Sequence, residues 1–281
     1  MKTFWRVCGR DIDTSARGLV MGIVNVTPDS FSDGGRYLDA GKAIELGIRL
    51  AMEGADILDI GGESTRPGAE PVACDEEMRR VLPVIRALRE KTGVLLSIDT
   101  MKASVARAAV EAGAHVINDV SGMTGDSGMV EVAAACDAGI VVMHMKGTPR
   151  TMQQQPAYGD VAAEVRAFLA SRLSALQEAG IDITRVVLDP GFGFGKSLAH
   201  NLALMRSLPS IRVEGRPFLV GVSRKSMIGR VIGSDDMDDR FWPTVALTAF
   251  AREHGAAVVR VHDVRPNMEA MRMAEAILAR R

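Results

Sequence analysis

This chain of 281 residues has few aromatic side chains and no large excess of charge of either sign. Aromatic residues make up only 4% of it, so aliphatic side chains and the 16 methionines must fill the core; hydrophobic residues amount to 47%. The formal net charge is −1, and no long basic block occurs. General nucleic-acid or membrane-surface binders need clustered lysine and arginine, so both classes are disfavoured. A local cationic site for a small anion stays open.

Cysteines and long apolar runs are also scarce. The three cysteines, Cys8, Cys74 and Cys136, are odd in number, far apart and without C-x-x-C spacing, which argues against a disulfide framework and a zinc site. No run approaches the ~18 apolar residues of a membrane span. Residues 1–18 are too charged for a signal-peptide core. We therefore expect a reduced, cytoplasmic protein.

Eight short apolar runs recur along the chain, and nearly every run ends in a polar or glycine-rich cluster. The runs cover residues 19–26, 57–60, 95–98, 116–117, 140–143, 186–188, 218–222 and 258–261. Helical patterns alternate with them over residues 40–53, 75–91, 102–112, 128–138, 160–179, 198–208, 226–232, 241–254 and 267–279. Continuous apolar runs are typical of parallel strands buried on both faces.

This alternation predicts an α/β fold, a single (β/α)8 TIM barrel with a short N-terminal hairpin or plug. We assign residues 19–281 to the barrel and residues 1–18 to an extension that packs on its bottom. Because such barrels build their active sites at the carboxyl ends of the strands, the polar clusters that follow the runs are the candidate site.

Two loops have the composition of a phosphate site. Asn25 ends the first run, and its amide oxygen could ligate Mg2+ beside phosphate oxygens. The loop that follows Asn25 is longer than most strand-to-helix loops, as lids at a barrel mouth often are. The glycine-rich loop 61–68 adds the hydroxyl of Thr65 and the guanidinium of Arg66, which suit a phosphate-bearing ligand. An ordinary flexible loop is the alternative for residues 61–68.

Three acids or amides, Asp99, Asn118 and Asp189, directly follow or end predicted strands. A barrel interior accepts such groups only when they are paired, so they indicate a polar ligand. Together they match the amino and lactam edges of a flat heterocycle. The alternative is that each caps a helix, for which Asp99 is a fair candidate.

Residues 189–197 are glycine-rich but form no nucleotide motif. Pro190 stands where the P-loop pattern needs its first glycine, and Lys196 stands where the dinucleotide fingerprint needs its last. What is left is a strand-to-helix loop that we expect to display Phe192 and Phe194 to an aromatic substrate.

Cations follow the last two predicted strands. Arg224, Lys225 and Arg260, with the titratable His262, predict an anion site near the barrel mouth. His144, on the fifth strand, is interpreted as a satisfied core residue rather than a ligand.

Taken together, these stretches closely resemble the dihydropteroate synthase family of the bacterial folate pathway. The resemblance covers residues 19–276. The blocks that carry it are GIVNVTPDSFSDGG (22–35), DIGGESTRPGA (59–69), SIDT (97–100), INDVSG (117–122), MHMKGTP (143–149), LDPGFGFGKS (188–197), SRKSMIG (223–229) and RVHDV (260–264). Residues 240–246 depart from the smaller stretch usual in the family, on a helix that lies near the family's subunit contact.

The resemblance implies a reaction and a set of site residues. Such enzymes join 7,8-dihydropterin-6-ylmethyl diphosphate to 4-aminobenzoate, giving 7,8-dihydropteroate and pyrophosphate by a Mg-assisted, dissociative displacement. The implied pterin ligands are Asp99, Asn118, Met143, Asp189, Lys225 and Arg260. The implied diphosphate ligands are Asn25, Thr65, Arg260 and His262, with Mg2+ at Asn25. The implied aminobenzoate ligands are Phe31, Ser32, Arg66, Pro67, Phe194, Lys225 and Ser226. The implied catalytic set is Asp99, Lys225, Asn25, Arg260 and His262.

The resemblance further implies sulfonamides as inhibitors and a homodimer, with no nucleic-acid or membrane partner. Two other interpretations share the barrel. A pterin-binding methyltransferase domain is not expected to carry the blocks at 223–226 and 65–67 beside Asn25. A catalytically silent pterin-binding barrel predicts damage at Asn25, Asp99 or Lys225, and all three match the family.

Overall fold

Ten strands make up the sheets of the computed structural model, which describes residues 3–27, 36–65 and 68–279, with 36–39 as backbone only. A two-stranded antiparallel hairpin comes first, formed by β1 (Phe4–Val7) and β2 (Arg10–Asp13). Eight parallel strands follow: β3 (Leu19–Asn25), β4 (Ile57–Gly61), β5 (Leu95–Asp99), β6 (Val116–Asp119), β7 (Gly139–Met143), β8 (Val186–Asp189), β9 (Leu219–Val220) and β10 (Val258–Val261).

The eight parallel strands form a closed barrel. Their order is β8-β7-β6-β5-β4-β3-β10-β9, and a parallel bridge between Leu188 and Phe218 joins the two ends. This confirms the predicted (β/α)8 barrel with an N-terminal hairpin. The predicted strand 218–222 is shorter than expected, because ladder pairing with β10 extends only over Leu219–Val220.

Helices alternate with the strands and cover the outside of the barrel. They are α1 (Arg36–Met52), α2 (Cys74–Lys91), α3 (Ala103–Glu111), α4 (Met129–Ala134), α5 (Val161–Glu178), α6 (Leu198–Arg206), α7 (Ser226–Ile232), α8 (Phe241–Glu253) and α9 (Val264–Leu278). Two helices begin several residues earlier than predicted, α1 by four and α9 by three, and α4 ends well before residue 138. Within the described residues, no helix has the length and apolarity needed to cross a membrane.

The hairpin packs against the amino ends of the strands. Trp5 is completely buried and shares a hydrophobic cluster with barrel residues that include Leu19, Val141 and Val258. The indole Nε1–H of Trp5 donates to the carbonyl of Arg185 at 2.7 Å. A large aromatic residue therefore fills the bottom of the barrel and leaves the carboxyl ends of the strands for the site. The division of the chain at residue 18 stays a prediction.

Candidate active site

The predicted polar residues of the first strands meet at one level of the barrel. In the strand register Asn25 lies opposite Gly61, Gly61 opposite Asp99, and Asp99 opposite Asn118. A Cβ at Gly61 would lie 3.5 Å from Cβ of Asp99 and 3.9 Å from Oδ1 of Asn25. The side chains of Asn25 and Asp99 therefore flank Gly61 on either side of β4, each within van der Waals reach of a Cβ built at that position.

A network of ion pairs and hydrogen bonds centres on Arg260 and Asp59. The Nε–H of Arg260 donates to Oδ2 of Asp59, and its Nη2 donates to Oδ2 of Asp99, both at 2.6 Å. The amide of Asn118 donates to the same oxygen of Asp59 at 3.0 Å. Asp59 is fully buried, and its Oδ1 has no hydrogen-bond partner among the described residues. One buried carboxylate thus orients two of the predicted pterin ligands.

The electrostatics of this network act strongly on Asp99. Burial raises the pKa of Asp99 to about 7, against the opposing effect of the Arg260 guanidinium; the neighbouring carboxylate of Asp59 raises it further. A carboxyl group with such a pKa changes its charge near neutral pH, so a charged ligand bound beside it would change its protonation state.

The alternative that these acids cap helices is wrong. Helix α3 has Lys102 at its N-cap position, and helix α6 is capped by the hydroxyl of Ser197. Asp99 instead pairs with Arg260. Asp189, which is 6% exposed, accepts a hydrogen bond from the backbone N–H of Gly191 at 2.7 Å, and burial raises its pKa.

Lys225 lies between Asp189 and the glycine-rich loop that follows β8. Its Nζ donates to the carbonyl of Phe192 and lies 4.5 Å from the ring centre of Phe194. Burial lowers the pKa of Lys225 to about 8, although the carboxylate of Asp189 opposes this shift. Phe192 is completely buried in the core, so the expectation that it faces a substrate is wrong. The side chain of Phe194 is partly exposed and lies beside Lys225.

The predicted anion site holds fewer available cations than expected. Arg224 makes a bidentate ion pair with Asp263, with N–O distances of 3.0 and 2.7 Å. Its charge is therefore neutralised beside the mouth, which leaves Lys225 as the cation of this loop. The ring Nδ1 of His262 and the hydroxyl of Ser223 lie 2.9 Å apart, which fixes the imidazole at the end of β10.

The other predicted residues vary in accessibility. Thr65 is half-buried and lines a cavity of about 10 Å³ with Asp99. Met143 is buried at the end of β7, opposite Asp189, and Ser226 is exposed at the first position of α7. The remaining predicted residues lie outside the described residues: Phe31, Ser32, Arg66 and Pro67.

A larger opening occurs elsewhere on the molecule. A shallow groove of about 400 Å³ lies between α1 and α9, lined by side chains such as Ile48, Met52 and Arg265. It is much larger than the cavity beside Asp99, but it lies on the outer helices and lacks the strand-end acids. Size therefore does not identify the site, whereas the convergence of buried polar groups does.

The interpretation of His144 as a core residue is confirmed. It is 5% exposed, and its Nδ1 lies 2.9 Å from Nζ of Lys196. Burial, with the nearby Lys196, lowers the pKa of His144 to about 3, so the imidazole is neutral.

Sequence reasoning missed several charged residues of this region. Asp59 carried a signal, since it is a carboxylate inside an apolar strand. Lys102 binds both Glu63 and the fully buried Glu77, which ties the loop after β4 to α2 and α3. Lys196, only 2% exposed, carries no sequence signal other than its mismatch to the dinucleotide fingerprint.

The donors present fit a loosely held hard cation. Among the described residues, no three His, Cys, Asp or Glu side chains converge to hold a metal ion. The amide oxygen of Asn25, beside Asp99 at the strand ends, is a hard ligand. Because Mg2+ retains several waters and takes its other ligands from phosphate, one or two protein oxygens suffice.

Comparisons with known proteins agree with this geometry. Residues 21–262 match the family described as pterin binding enzyme. Dihydropteroate synthase of Synechocystis is 44% identical over 265 residues, which cover 94% of this chain and 92% of that protein. The structure of the Xanthomonas albilineans synthase with 4-aminobenzoic acid superposes with a TM-score of 0.92 at 47% identity, covering 99% of this chain and 100% of that one.

A Yersinia pestis dihydropteroate synthase, solved as a sulfonamide drug complex, superposes with a TM-score of 0.91 at 42% identity over 99% of both chains. The matches span the whole barrel, including every described strand end discussed above. The chain therefore belongs to the pterin binding enzyme family and, within it, to the dihydropteroate synthases.

Proposed function

We propose that this chain condenses 7,8-dihydropterin-6-ylmethyl diphosphate with 4-aminobenzoate to give 7,8-dihydropteroate and pyrophosphate. The observation that carries the proposal is the placement of Arg260 between two carboxylates, the fully buried Asp59 inside β4 and the partly buried Asp99 at the end of β5. This network presents fixed charges and an amide group to a flat, polar heterocycle. Relatives that match this chain over nearly its whole length are dihydropteroate synthases.

The pterin would lie across the mouth of the barrel. Asp99 and Asn118 sit on neighbouring strands at the same register, and Asp189 lies beside Lys225 on the opposite side. Carboxylates accept from the amino and ring N–H groups of a pterin, while Asn118 and Lys225 donate to its oxygen and ring nitrogen. Arg260, together with the buried Met143, would contact the faces of the ring.

The diphosphate would lie beside Asn25, Thr65 and His262, with Arg260 nearby. When bound, Mg2+ would neutralise charge that develops on the departing pyrophosphate. Asn25 would hold the cation through its amide oxygen. The chain's own contribution is positional, because His262 is fixed by Ser223 and Arg260 is fixed by two acids.

The chemistry is a displacement at the methylene carbon of the pterin. The carbon–oxygen bond breaks first and its electron pair leaves with pyrophosphate, while the ring and the Asp99 carboxylate stabilise the dihydropterin cation. The neutral aniline nitrogen of 4-aminobenzoate then forms the new carbon–nitrogen bond and loses a proton to solvent. No covalent enzyme nucleophile takes part, and exclusion of water protects the cation from hydrolysis.

The aminobenzoate would bind beside Phe194, Lys225 and Ser226. Phe194 offers an aromatic wall, and the ammonium of Lys225 and the exposed hydroxyl of Ser226 can meet polar groups of the substrate. We extend this site to Phe31, Ser32, Arg66 and Pro67 from the family resemblance. Sulfonamides, which share the aniline ring, would compete for the same place, as the Yersinia pestis complex suggests.

We also infer a cytoplasmic homodimer. Exposed apolar side chains cluster on and around α7 and α8, with Val231 59%, Met237 43% and Trp242 72% exposed. Such a patch suits a subunit contact. The three cysteines are all free thiols, in keeping with a reducing compartment.

The direct test is to supply both substrates with Mg2+ and detect dihydropteroate by chromatography and mass spectrometry. We expect product from the wild-type chain, a loss of at least about 100-fold for Lys225→Ala with an unchanged fold, and no change for the exposed Lys91→Ala. Methyl transfer between a folate and a corrinoid protein would favour the methyltransferase alternative. Pterin binding without product would favour the silent barrel.

A further inference from the structure

Two lysines, one partly buried and one fully buried, lie on opposite sides of the loop between β8 and α6, and the proposed chemistry uses only the first. Lys225 contacts one side, where Phe194 faces the mouth of the barrel. Lys196 approaches the same loop from the protein interior and is only 2% exposed. An ammonium group in such a place must be satisfied by acceptors of the protein.

The acceptors of Lys196 are backbone carbonyls and one imidazole. Its Nζ lies 2.8 Å from the carbonyl of Gly191 and 3.1 Å from that of Phe194, and it contacts Nδ1 of His144 at 2.9 Å. Because His144 is neutral and Nδ1 is the acceptor here, the proton of that ring resides on Nε2. The ammonium therefore joins the start and the middle of the loop to the end of β7.

The path of the loop explains why it needs such an anchor. Gly191, Gly193 and Gly195 all have positive φ angles, of 68°, 81° and 64°. A Cβ at Gly191 would lie 1.9 Å from the carbonyl oxygen of His144, and one at Gly195 would lie 2.3 Å from that of Lys146. Glycine permits this close packing but gives the chain no side-chain contacts of its own, so the fixed shape must come from groups around it.

Other contacts hold the same loop from the segment after β7. The hydroxyl of Tyr158 donates to the carbonyl of Gly195 at 2.9 Å, and the side-chain amide of Gln153 donates to that of Gly193 at 2.5 Å. These donors are half-buried or exposed, whereas Lys196 is inside. Lys196 is thus the central donor of the set.

The side of the loop that faces the mouth depends on this shape. The carbonyl of Phe192 accepts from Lys225, and the Phe194 ring lies against the same ammonium. A Cβ at Gly193 would lie 3.1 Å from Cδ of Lys225, so the loop and the lysine stem are in close contact. A shift of the loop would therefore move Phe194 and Lys225 together.

The charges around Lys196 come from three elements. Burial lowers its pKa to about 7, the carboxylate of Asp189 on β8 raises it, and the ammonium of Lys225 lowers it. His144, directly after β7, faces it as a neutral acceptor. The protonated form is the one that can donate at once to the carbonyls of Gly191 and Phe194 and to Nδ1 of His144.

We propose that Lys196 is a positioning residue for the aminobenzoate side of the site: it fixes the loop 190–196 from inside and so holds Phe194 against Lys225. The proposal rests on the function proposed above. It predicts that loss of the ammonium acts mainly on the aminobenzoate and less on the pterin diphosphate. Of the pterin ligands, Asp99, Asn118 and Arg260 lie on other strands, while Asp189 and Lys225 adjoin the loop.

The test compares Lys196→Met with the wild-type chain and with Arg172→Met as a matched control. Arg172 also donates to loop carbonyls, those of Gly122 at 2.8 Å and Met123 at 3.4 Å, but after β6. We expect Lys196→Met to raise KM for 4-aminobenzoate by about ten-fold and KM for the pterin diphosphate by less than about threefold. Arg172→Met should leave KM for aminobenzoate unchanged.

Hydrogen exchange provides a readout that does not depend on the reaction. Peptides covering residues 190–197 should exchange about ten-fold faster in Lys196→Met than in the wild-type chain. An unchanged exchange rate overturns the proposal even if the wild-type chain makes no dihydropteroate. If the wild-type chain is active but both KM values rise equally, or neither rises, the positioning role is wrong and the proposed function stands.

A second variant covers the case in which Lys196→Met fails to fold. Tyr158→Phe removes only the hydroxyl that donates to Gly195. We expect it to raise KM for 4-aminobenzoate by about twofold to fivefold without a matching rise for the pterin diphosphate. An unchanged KM for aminobenzoate in Tyr158→Phe would then overturn the proposal.

Discussion

Arg260 donates through Nε to Oδ2 of Asp59 at 2.6 Å, and the carboxylate that accepts this bond is wholly buried. The same oxygen also accepts from the amide of Asn118. Asp59 therefore sets the direction of two groups that we assign to the pterin, although its own carboxylate lies behind them. Its charge also balances that of Arg260 in a place that water does not reach.

Replacement of Asp59 tests this arrangement. Asp59→Asn leaves the guanidinium of Arg260 with one carboxylate fewer in a buried site, so the free energy of unfolding should fall by about 3 kcal/mol and kcat/KM by about 100-fold. The matched control is Asp56→Asn, on the same strand's amino side, where Asp56 pairs with Arg17. It should leave the rate per folded molecule unchanged. Equal losses in the two variants would contradict the role of Asp59.

The pH dependence of kcat/KM for the pterin diphosphate should be bell-shaped. Asp99, with a pKa of about 7, is neutral below that pH and cannot stabilise a cation, so activity rises as pH increases through 7. Lys225, with a pKa of about 8, loses its charge above that pH, so activity then falls. Asp99→Asn should lower activity and abolish the rise in activity near pH 7 that depends on ionisation of Asp99. Lys225→Arg should move the fall in activity at alkaline pH to higher pH. Identical profiles for all three proteins would contradict these assignments.

The backbone of Arg224 gives a stability prediction with an unusual sign. Its φ angle is +55°, a region that favours glycine. Arg224→Ala and Arg224→Gly both lose the ion pair with Asp263, but glycine should be more stable by about 1 kcal/mol because it adopts this φ without strain. At Arg230, which is exposed in helix α7, the alanine variant should instead be more stable than the glycine variant, by roughly 1 kcal/mol. Urea denaturation of the four variants measures both differences.

The hairpin at the barrel bottom should contribute to stability and not to activity. Trp5→Ala should lower the free energy of unfolding by about 3–5 kcal/mol, since a fully buried indole is removed. Its neighbour Phe4 is 39% exposed, and Phe4→Ala should change stability by about 0.5 kcal/mol or less. The rate per folded molecule should be the same in both variants. A change in the free energy of unfolding for Trp5→Ala as small as that for Phe4→Ala would contradict the contribution of the indole to the core.

Much of the fold was predictable from the sequence because buried parallel strands are continuous apolar runs. That pattern identified all eight barrel strands and placed Asp99, Asn118 and Asp189 at their ends. The bounds of α1 and α4 were less accurate, because helix ends depend on packing and capping that periodicity does not contain. The short β9 depends on which neighbours it pairs with, which is a property of the closed barrel.

The site residues at the ends of strands could be predicted from the sequence, whereas those whose position depends on the conformation of a loop could not. Phe192 and Phe194 look alike in sequence, yet three glycines with positive φ turn one ring inward and leave the other near Lys225. Lys196 was missed for the same reason, since its acceptors are backbone carbonyls. Asp59 could not be assigned from the sequence because it lies inside a strand and its partner Arg260 is 201 residues away along the chain.

The most direct test of the central claim is a pyrophosphate-release assay with the dihydropterin diphosphate and Mg2+, run with and without 4-aminobenzoate. The account predicts release that depends on the aminobenzoate, with one dihydropteroate formed for each pyrophosphate. The absence of dihydropteroate under every condition, or pyrophosphate release that is unaffected by aminobenzoate, would contradict it.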